Sequence, residues 1–326
     1  MNESLRLQQE PDLSVIVAII AGGKEAMTSC LQALAESAKC YTTECIVPYD
    51  TRLDGVEELE MIFPWVDFIN VRAHVNSDLF GSLSREHHDI LRAIGLRRAR
   101  GQIVALLEDH GIPSVDWVPA IMDAHGSGSD SAVGGAVENG VDRVLNWAVY
   151  FCDFGRYQNP VPQGPAEFLS DSNVSYKREA LDTVRHLWMD AFHETSVNWE
   201  LRRQGRSLRL DSRMVVHQTR KSLRLIPALR ERFVWGRTFA GTRASEVSLL
   251  KRATFAGLSF TLPFILSWRI LSQGLRKRRF LNKLLLSLPL IFVLQTIWSF
   301  GEFVGYVTGV TGGPEQAATP SLGRVA

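Results

Sequence analysis

The run Leu13 to Ile20 (LSVIVAII) is almost unbroken apolar sequence, rich in β-branched residues and closed by Gly22 and Gly23. A strand with one wet face alternates polar and apolar residues. A near-continuous run belongs to a strand buried on both faces, as in a parallel sheet covered by helices. The next segment repeats Met27, Leu31, Leu34 and Ala35 at helical spacing, and a second short strand follows at Glu44 to Val47. Strand at Phe68 to Val71, helix at about Glu86 to Arg100 and strand at Ile103 to Leu107 continue the alternation. Such alternation predicts an α/β fold with a mostly parallel sheet flanked by helices. Ligands in these sheets bind beyond the carboxyl ends of the strands. Ile19 to Gly23, Tyr49 to Asp54 and Glu108 to His110 are therefore expected around one crevice.

Beyond Gly111 the pattern is less regular, with a helix near Trp117 to His125, a strand at Ala132 to Val137 and a loop marked by Pro160, Pro162, Gly164 and Pro165. The chain has 326 residues and a formal net charge of +1 that hides an asymmetry. Met1 to Asp130 holds 10 Lys and Arg against 20 Asp and Glu, whereas the remainder holds 26 against 15. Basic residues gather between Thr219 and Arg252, where nine Lys or Arg face only Glu231 and Glu246. Two apolar stretches follow: 16 uncharged residues from Ala253 to Trp268, and 18 from Leu284 to Gly301. Spanning a bilayer takes about 20 residues, and the basic linker Arg276 to Arg279 makes a simple two-span hairpin unfavourable under the positive-inside tendency. Either the first stretch lies in the cytosolic leaflet while the second spans, or both form an interfacial hairpin; buried core helices are the third reading.

The expected organisation is a catalytic-type domain over residues 1–220, a basic helical region over 221–252, membrane-associated or transmembrane helices over 253–311 and a tail over 312–326. The basic segment suits anionic lipid headgroups. No nucleic-acid motif or aromatic stacking cluster accompanies it, so no nucleic-acid partner is expected. Cys30, Cys40, Cys45 and Cys152 form no C-x-x-C pair, which fits a reduced compartment. The opening MNESLRLQQEPDLS lacks a basic segment followed by an apolar one, so the expected location is the cytoplasmic membrane with the catalytic domain facing the cytosol. Gly22-Gly23-Lys24 is not a P-loop, because the G-x-x-x-x-G-K-[ST] spacing is missing, and no G-x-G-x-x-G follows the first strand.

The strongest chemical signal is Glu108-Asp109-His110-Gly111-Ile112-Pro113 at the end of an apolar strand. It resembles the strand-end DxD region of family 2 glycosyltransferases, whose fold is GT-A. In that family acidic side chains hold a divalent cation, Mg²⁺ or Mn²⁺, against the diphosphate of a nucleotide sugar. Here His110 replaces an acidic residue, and a ring nitrogen suits Mn²⁺ better than Mg²⁺. The segment Arg92-x-x-Gly95-Leu96-x-x-Ala99-x-Gly101 is similar to the family's RNxGLxxAxG, with Ala93 in place of asparagine. Glu44 to Gly55 (ECIVPYDTRLDG) stands where the family has its VVDDGSTDG loop, with Asp50 and Asp54 on acidic positions and Tyr49 on another. Ser170 to Leu181 resembles GxNxAxRRExL, and His193-Glu194 before a helix resembles the family's EDxxLxxRLxxxG element. Val215-Val216-His217 is similar to a strand-end histidine that approaches the metal in some GT-A enzymes.

The resemblance runs from about Leu13 to His217. It implies an inverting transfer of a sugar from a nucleotide-diphosphate donor to an acceptor hydroxyl, on a lipid-linked or envelope glycan. Glu194 would be the general base, since an inverting transferase deprotonates the acceptor as it attacks. Asp50, Asp54, Arg92, Glu108 and Asp109 would bind the donor, and Asp171, Asn173 and His193 would meet the sugar or acceptor. Asp109, His110 and His217 would hold the cation. Structural roles stand beside these: Asp50 as a turn residue, Gly95 and Ala99 as close-packing residues, Glu194 as a helix-capping carboxylate. A non-catalytic, membrane-bound sugar-nucleotide or glycan binding protein on the same fold is the alternative to an enzyme.

Overall fold

The computed structural model describes residues 10–20, 23–50, 53–71, 85–244 and 247–309. Ala21, Gly22, Thr51 and Arg52 of the expected ligand loops, and the tail over 312–326, lie outside the described residues. Two compact units divide the chain: Met1–Leu79, Glu86–Gly140 and Tyr157–Arg220 in the first, and Phe80–Arg85, Val141–Arg156 and Lys221–Ala326 in the second. Residues 141–156, placed by sequence with the first 220, thus group with the C-terminal helices.

In the first unit the elements in chain order are β1 (Leu13–Ala18), α1 (Lys24–Ser37), β2 (Thr43–Tyr49), α2 (Val56–Ile62), β3 (Val66–Asn70), α3 (Arg85–Arg98), β4 (Ile103–Glu108), β5 (Gly111–Pro113), α4 (Trp117–Ser127) and β6 (Ala132–Asn139). A helix of the second unit intervenes, α5 (Val144–Asp153), and the first unit resumes with β7 (Gly164–Pro165), β8 (Asn173–Lys177), α6 (Arg178–Thr183), α7 (Glu194–Arg203) and β9 (Leu208–Gln218). The strands form one sheet in the order β3-β2-β1-β4-β8-β6-β9-β5, with β7 on β9. Pairing is parallel from β3 through β4 and between β6 and β9. Strand β8 runs antiparallel to both β4 and β6. The expected α/β architecture of a sheet flanked by helices is what the chain builds, with parallel pairing concentrated in β3-β2-β1-β4 and antiparallel pairs mixed into the rest.

Every residue of β1 and of β4 is buried, as near-continuous apolar runs require. Helix α1 buries Met27, Cys30, Leu31 and Leu34, a 3-4 periodicity that lays one stripe on the sheet. Helix α3 comes so close at Gly95 that a Cβ there would sit 2.5 Å from Ile16 Cγ2. The small residue is thus a packing requirement, and it seats α3 against the carboxyl half of β1.

The second unit is helical, with α5 followed by α8 (Leu225–Ala244), α9 (Leu249–Leu258), α10 (Leu262–Lys277) and α11 (Leu281–Thr308). Trp147, Tyr150 and Phe151 of α5 join Ala228, Ile270, Leu284, Ile291 and Leu294 in one apolar cluster. Helices α8 and α11 pack backbone to backbone: a Cβ at Gly301 would lie 2.3 Å from Phe233 O, and one at Gly236 would lie 2.2 Å from Trp298 O. The buried Arg232 pairs with Asp153 at 2.5 Å inside this bundle. Among the described residues, Leu249–Lys277 and Leu281–Thr308 are long and apolar enough to cross a membrane, by length and composition.

Candidate active site

Parallel pairing brings the carboxyl ends of β2, β1 and β4 to one edge of the sheet. Helix α3 crosses behind that edge carrying Asp89 and Arg92 three residues apart, on one helical face. Arg92 is only 2% exposed. Its Nη1 lies 3.3 Å from Asp89 Oδ1 and 3.0 Å from Asp171 Oδ2, and its Nη2 lies 3.2 Å from Glu108 Oε1. Burial works against the charge on Arg92, but Asp171, Glu108, Asp89 and Glu194 outweigh it and raise its pKa above the ordinary value. Burial pushes the Glu108 carboxyl up from the usual range, although His110 and Arg92 pull it down. A buried guanidinium of this kind is retained only when carboxylates surround it.

Helix α7 delivers two more groups to this cluster. The Asp171 N–H donates to Glu194 Oε2 at 3.2 Å, and His193 Nδ1 lies 3.0 Å from Asp89 Oδ2. The backbone supports the placement, since Phe192 N–H donates to Asp89 O at 2.9 Å. Asp89 therefore ties α3 to the start of α7 through both its carboxylate and its carbonyl.

Asp109 is fully buried, and its Oδ1 accepts from Ile20 N–H at 3.1 Å and from His110 Nδ1 at 2.9 Å. A carboxylate only accepts, so His110 donates from Nδ1. Its Nε2 stands 3.5 Å from Glu108 Oε2. Gln218, at the end of β9, donates from Nε2 to the same Glu108 oxygen at 3.0 Å. Thr219 closes the corner by donating both N–H and Oγ1–H to His110 O, each at 2.8 Å.

Residues 85–185 match the family model described as Glycosyl transferase family 2. The match spans Asp89, Arg92, the Glu108–His110 corner, Asp171 and Asn173, so the resemblance read from the sequence is shown over that segment. No curated protein matches. Among solved structures, the chain is similar to mannosyltransferase PcManGT from Pyrobaculum calidifontis in complex with GDP-Man and Mn²⁺, at 14% identity and TM-score 0.48, covering 74% of this chain and 66% of that one. It is also similar to S. aureus TarS 1-349 in complex with UDP-GlcNAc, at 12% identity and TM-score 0.44, covering 70% and 65%. For a further S. aureus TarS structure the identity is 14%, the TM-score 0.43, and the coverage 64% and 36%. The chain spans about two thirds or less of the length of these structures.

Within and beyond the family 2 match, the structure separates the expected site residues. Arg92, Glu108, Asp171, His193 and Glu194 come together around Arg92, and Asp109 and His110 adjoin them. Arg92 is enclosed by carboxylates instead of lying open to a donor. Asp50 is buried at the end of β2, and Asp54 is exposed just before Gly55, whose φ is +69°. Asn173 is fully buried: its Oδ1 accepts from Trp117 Nε1 at 2.8 Å, and its Nδ2 donates to Ala136 O at 2.8 Å and Met214 O at 2.9 Å. Both ends of this side chain are thus used in joining α4 to the sheet.

The expected metal trio of Asp109, His110 and His217 is not assembled. Among the described residues no group of three or more His, Cys, Asp and Glu side chains is arranged to hold a metal ion. Alternation along β9 exposes His217 and turns Gln218 inward, and the Asp109 carboxylate is turned under the loop toward Ile20. Two residues of the cluster escaped the sequence reading. Asp89 was visible as the i−3 partner of Arg92. Gln218 was visible by parity, two residues beyond the buried Val216.

Proposed function

We propose that the first unit transfers a sugar from a nucleotide-diphosphate donor to an acceptor hydroxyl, with inversion at the anomeric carbon. The observation that carries this reading is the placement of Glu194 on the Arg92 cluster through the Asp171 N–H. In this reaction the acceptor oxygen bonds to the anomeric carbon as the bond to the diphosphate breaks. The hydroxyl proton passes to the Glu194 carboxylate, and the nucleoside diphosphate leaves with the electron pair. Arg92 holds Glu108, Asp171 and Asp89 in place through its ion pairs, so the site is ordered before substrate arrives. Asp171 and His193 flank Glu194 and are assigned to the sugar or acceptor, while Asp50 and Asp54 at the end of β2 are assigned to the donor nucleotide.

The corner residues fit a divalent cation. Glu108 would offer an oxygen and His110 its Nε2, 3.5 Å apart, with Asp109 fixing the imidazole through Nδ1. A mixed nitrogen and oxygen set suits Mn²⁺ better than Mg²⁺. When bound, the cation supplies positive charge that offsets the diphosphate.

For the second unit we propose attachment to the cytoplasmic face of a membrane, near a lipid-linked or envelope glycan acceptor. Exposed Leu249, Leu250, Phe260, Phe264, Ile265 and Trp268 on the α9–α10 stretch, with Arg276 to Arg279 after it, support this reading.

The deciding experiment incubates the purified chain with a panel of nucleotide sugars and acceptors, with and without Mn²⁺. It reads nucleoside diphosphate release and the anomeric configuration of the product by NMR. Turnover with an inverted anomer is expected. A donor that binds but is never consumed would make the chain a non-catalytic binding protein, and retention of configuration would remove Glu194 from the role of base.

A further inference from the structure

We propose that Gln218 is a third protein ligand of the divalent cation, through its carboxamide oxygen; the inference rests on the cation-assisted reading above. Gln218 is 6% exposed, and strand pairing sets it beside Gly111 on β5 and Asn139 on β6. Its backbone is fixed on both sides, because Gly140 N–H donates to Gln218 O at 2.8 Å and Thr219 N–H donates to His110 O. The orientation of the amide is settled by chemistry: the Glu108 carboxylate can only accept, so the group 3.0 Å from it must be the Gln218 NH₂. The carbonyl oxygen is then buried with no hydrogen-bond partner among the described residues.

Buried acceptors are almost always satisfied, and an unsatisfied one beside functional groups calls for an explanation. A cation shared with Glu108 and His110 provides it, since hard divalent ions take amide carbonyl oxygens together with carboxylates. A neutral ligand also suits this place. Glu108, Asp89 and Asp171 already concentrate negative charge around one guanidinium, and an amide adds an oxygen ligand without a further carboxylate to desolvate. Strand parity explains how the position arises: the inward residue at the end of β9 is Gln218, and its neighbour His217 faces out.

The test measures Mn²⁺ binding to the full-length protein by electron paramagnetic resonance titration and calorimetry, without nucleotide and with a nucleoside diphosphate. Gln218→Ala should weaken Mn²⁺ binding about 10- to 100-fold. Gln218→Glu, which restores a ligand oxygen but loses the NH₂ donor to Glu108, should bind Mn²⁺ at least as tightly as wild type. If Gln218 only braces Glu108, the Glu variant places two carboxylates together and should bind as weakly as the Ala variant, which would overturn the proposal. Equal Mn²⁺ affinity in wild type and a folded Gln218→Ala protein would overturn it too, leaving the cation reading intact. A wild-type chain that turns over donor and binds no Mn²⁺ would remove the cation, and Gln218 as its ligand, without touching the transferase reading.

Discussion

The Arg92 guanidinium meets the Glu108 carboxylate at 3.2 Å with both side chains almost wholly removed from water. Helix α3 and strand β4 are adjacent in sequence, so a local segment carries this pair. Asp171 reaches the same guanidinium from a loop far along the chain. The charge balance of the site therefore depends on one residue.

Arg92→Met keeps much of the volume and removes the charge, which leaves Asp89, Glu108 and Asp171 facing one another in a buried space. Removing one partner from a buried ionic group costs about 3–5 kcal/mol. A loss of that size is expected in urea unfolding at neutral pH. A loss under about 1 kcal/mol, the range of an exposed pair, would show that water reaches the cluster.

Glu194→Gln retains the acceptor oxygen for the Asp171 N–H and removes the proton acceptor for chemistry. Transfer should fall by about 10²- to 10⁴-fold, with donor affinity kept within a few-fold. Transfer rate and donor affinity are measured on the same preparation. Near-normal turnover would leave Glu194 as a helix-start carboxylate and no more.

Stability should fall in mild acid because of His125. Its Nε2 lies 2.9 Å from Ser175 Oγ, and its Nδ1 has no hydrogen-bond partner among the described residues. Burial, aided by the Lys177 charge, lowers its pKa from 6.5 to about 4. The folded state thus holds the ring neutral while the unfolded chain takes up a proton below pH 6.5, so the contribution is complete above 6.5 and disappears as pH falls toward 4. The gap corresponds to about 3 kcal/mol. Thermal melts from pH 7 to 4.5 should show a shallower decline in His125→Asn than in wild type, and parallel curves would refute the assignment.

Phe264 and Trp268, one helical turn apart on α10, are 67% and 68% exposed. Replacing both with Asp should leave the thermal midpoint of detergent-solubilised protein within a few degrees, because surface substitutions away from structural features cost about 0.5 kcal/mol or less. Co-sedimentation with vesicles containing anionic lipid should drop several-fold. Unchanged sedimentation at low and high salt would place the lipid contact elsewhere.

Periodicity and chemistry alone determined much of this protein. The buried runs of β1 and β4 required a helix-covered sheet, since both faces had to leave water. The small Gly95 marked where a helix closes on it, and the order of short motifs from Arg92 to Glu194 marked one site. Boundaries from local pattern held within a few residues, for the helix starting at Trp117 and the strand over Ala132–Asn139 alike.

Tertiary structure decided which atoms face which. Asn173 matched a site motif, but the β6–β9 bulge and Trp117 take up both ends of its amide, a demand made by strands and a helix far away in sequence. His217 and Gln218 are consecutive and equally polar, and only the register of β9 against β5 and β6 selects Gln218 for the Glu108 corner. Asp109 likewise reads as a ligand until the carboxyl end of β1 offers it the Ile20 N–H. Composition and spacing report what a residue can do; its partners follow from long-range pairing, which a linear pattern does not carry.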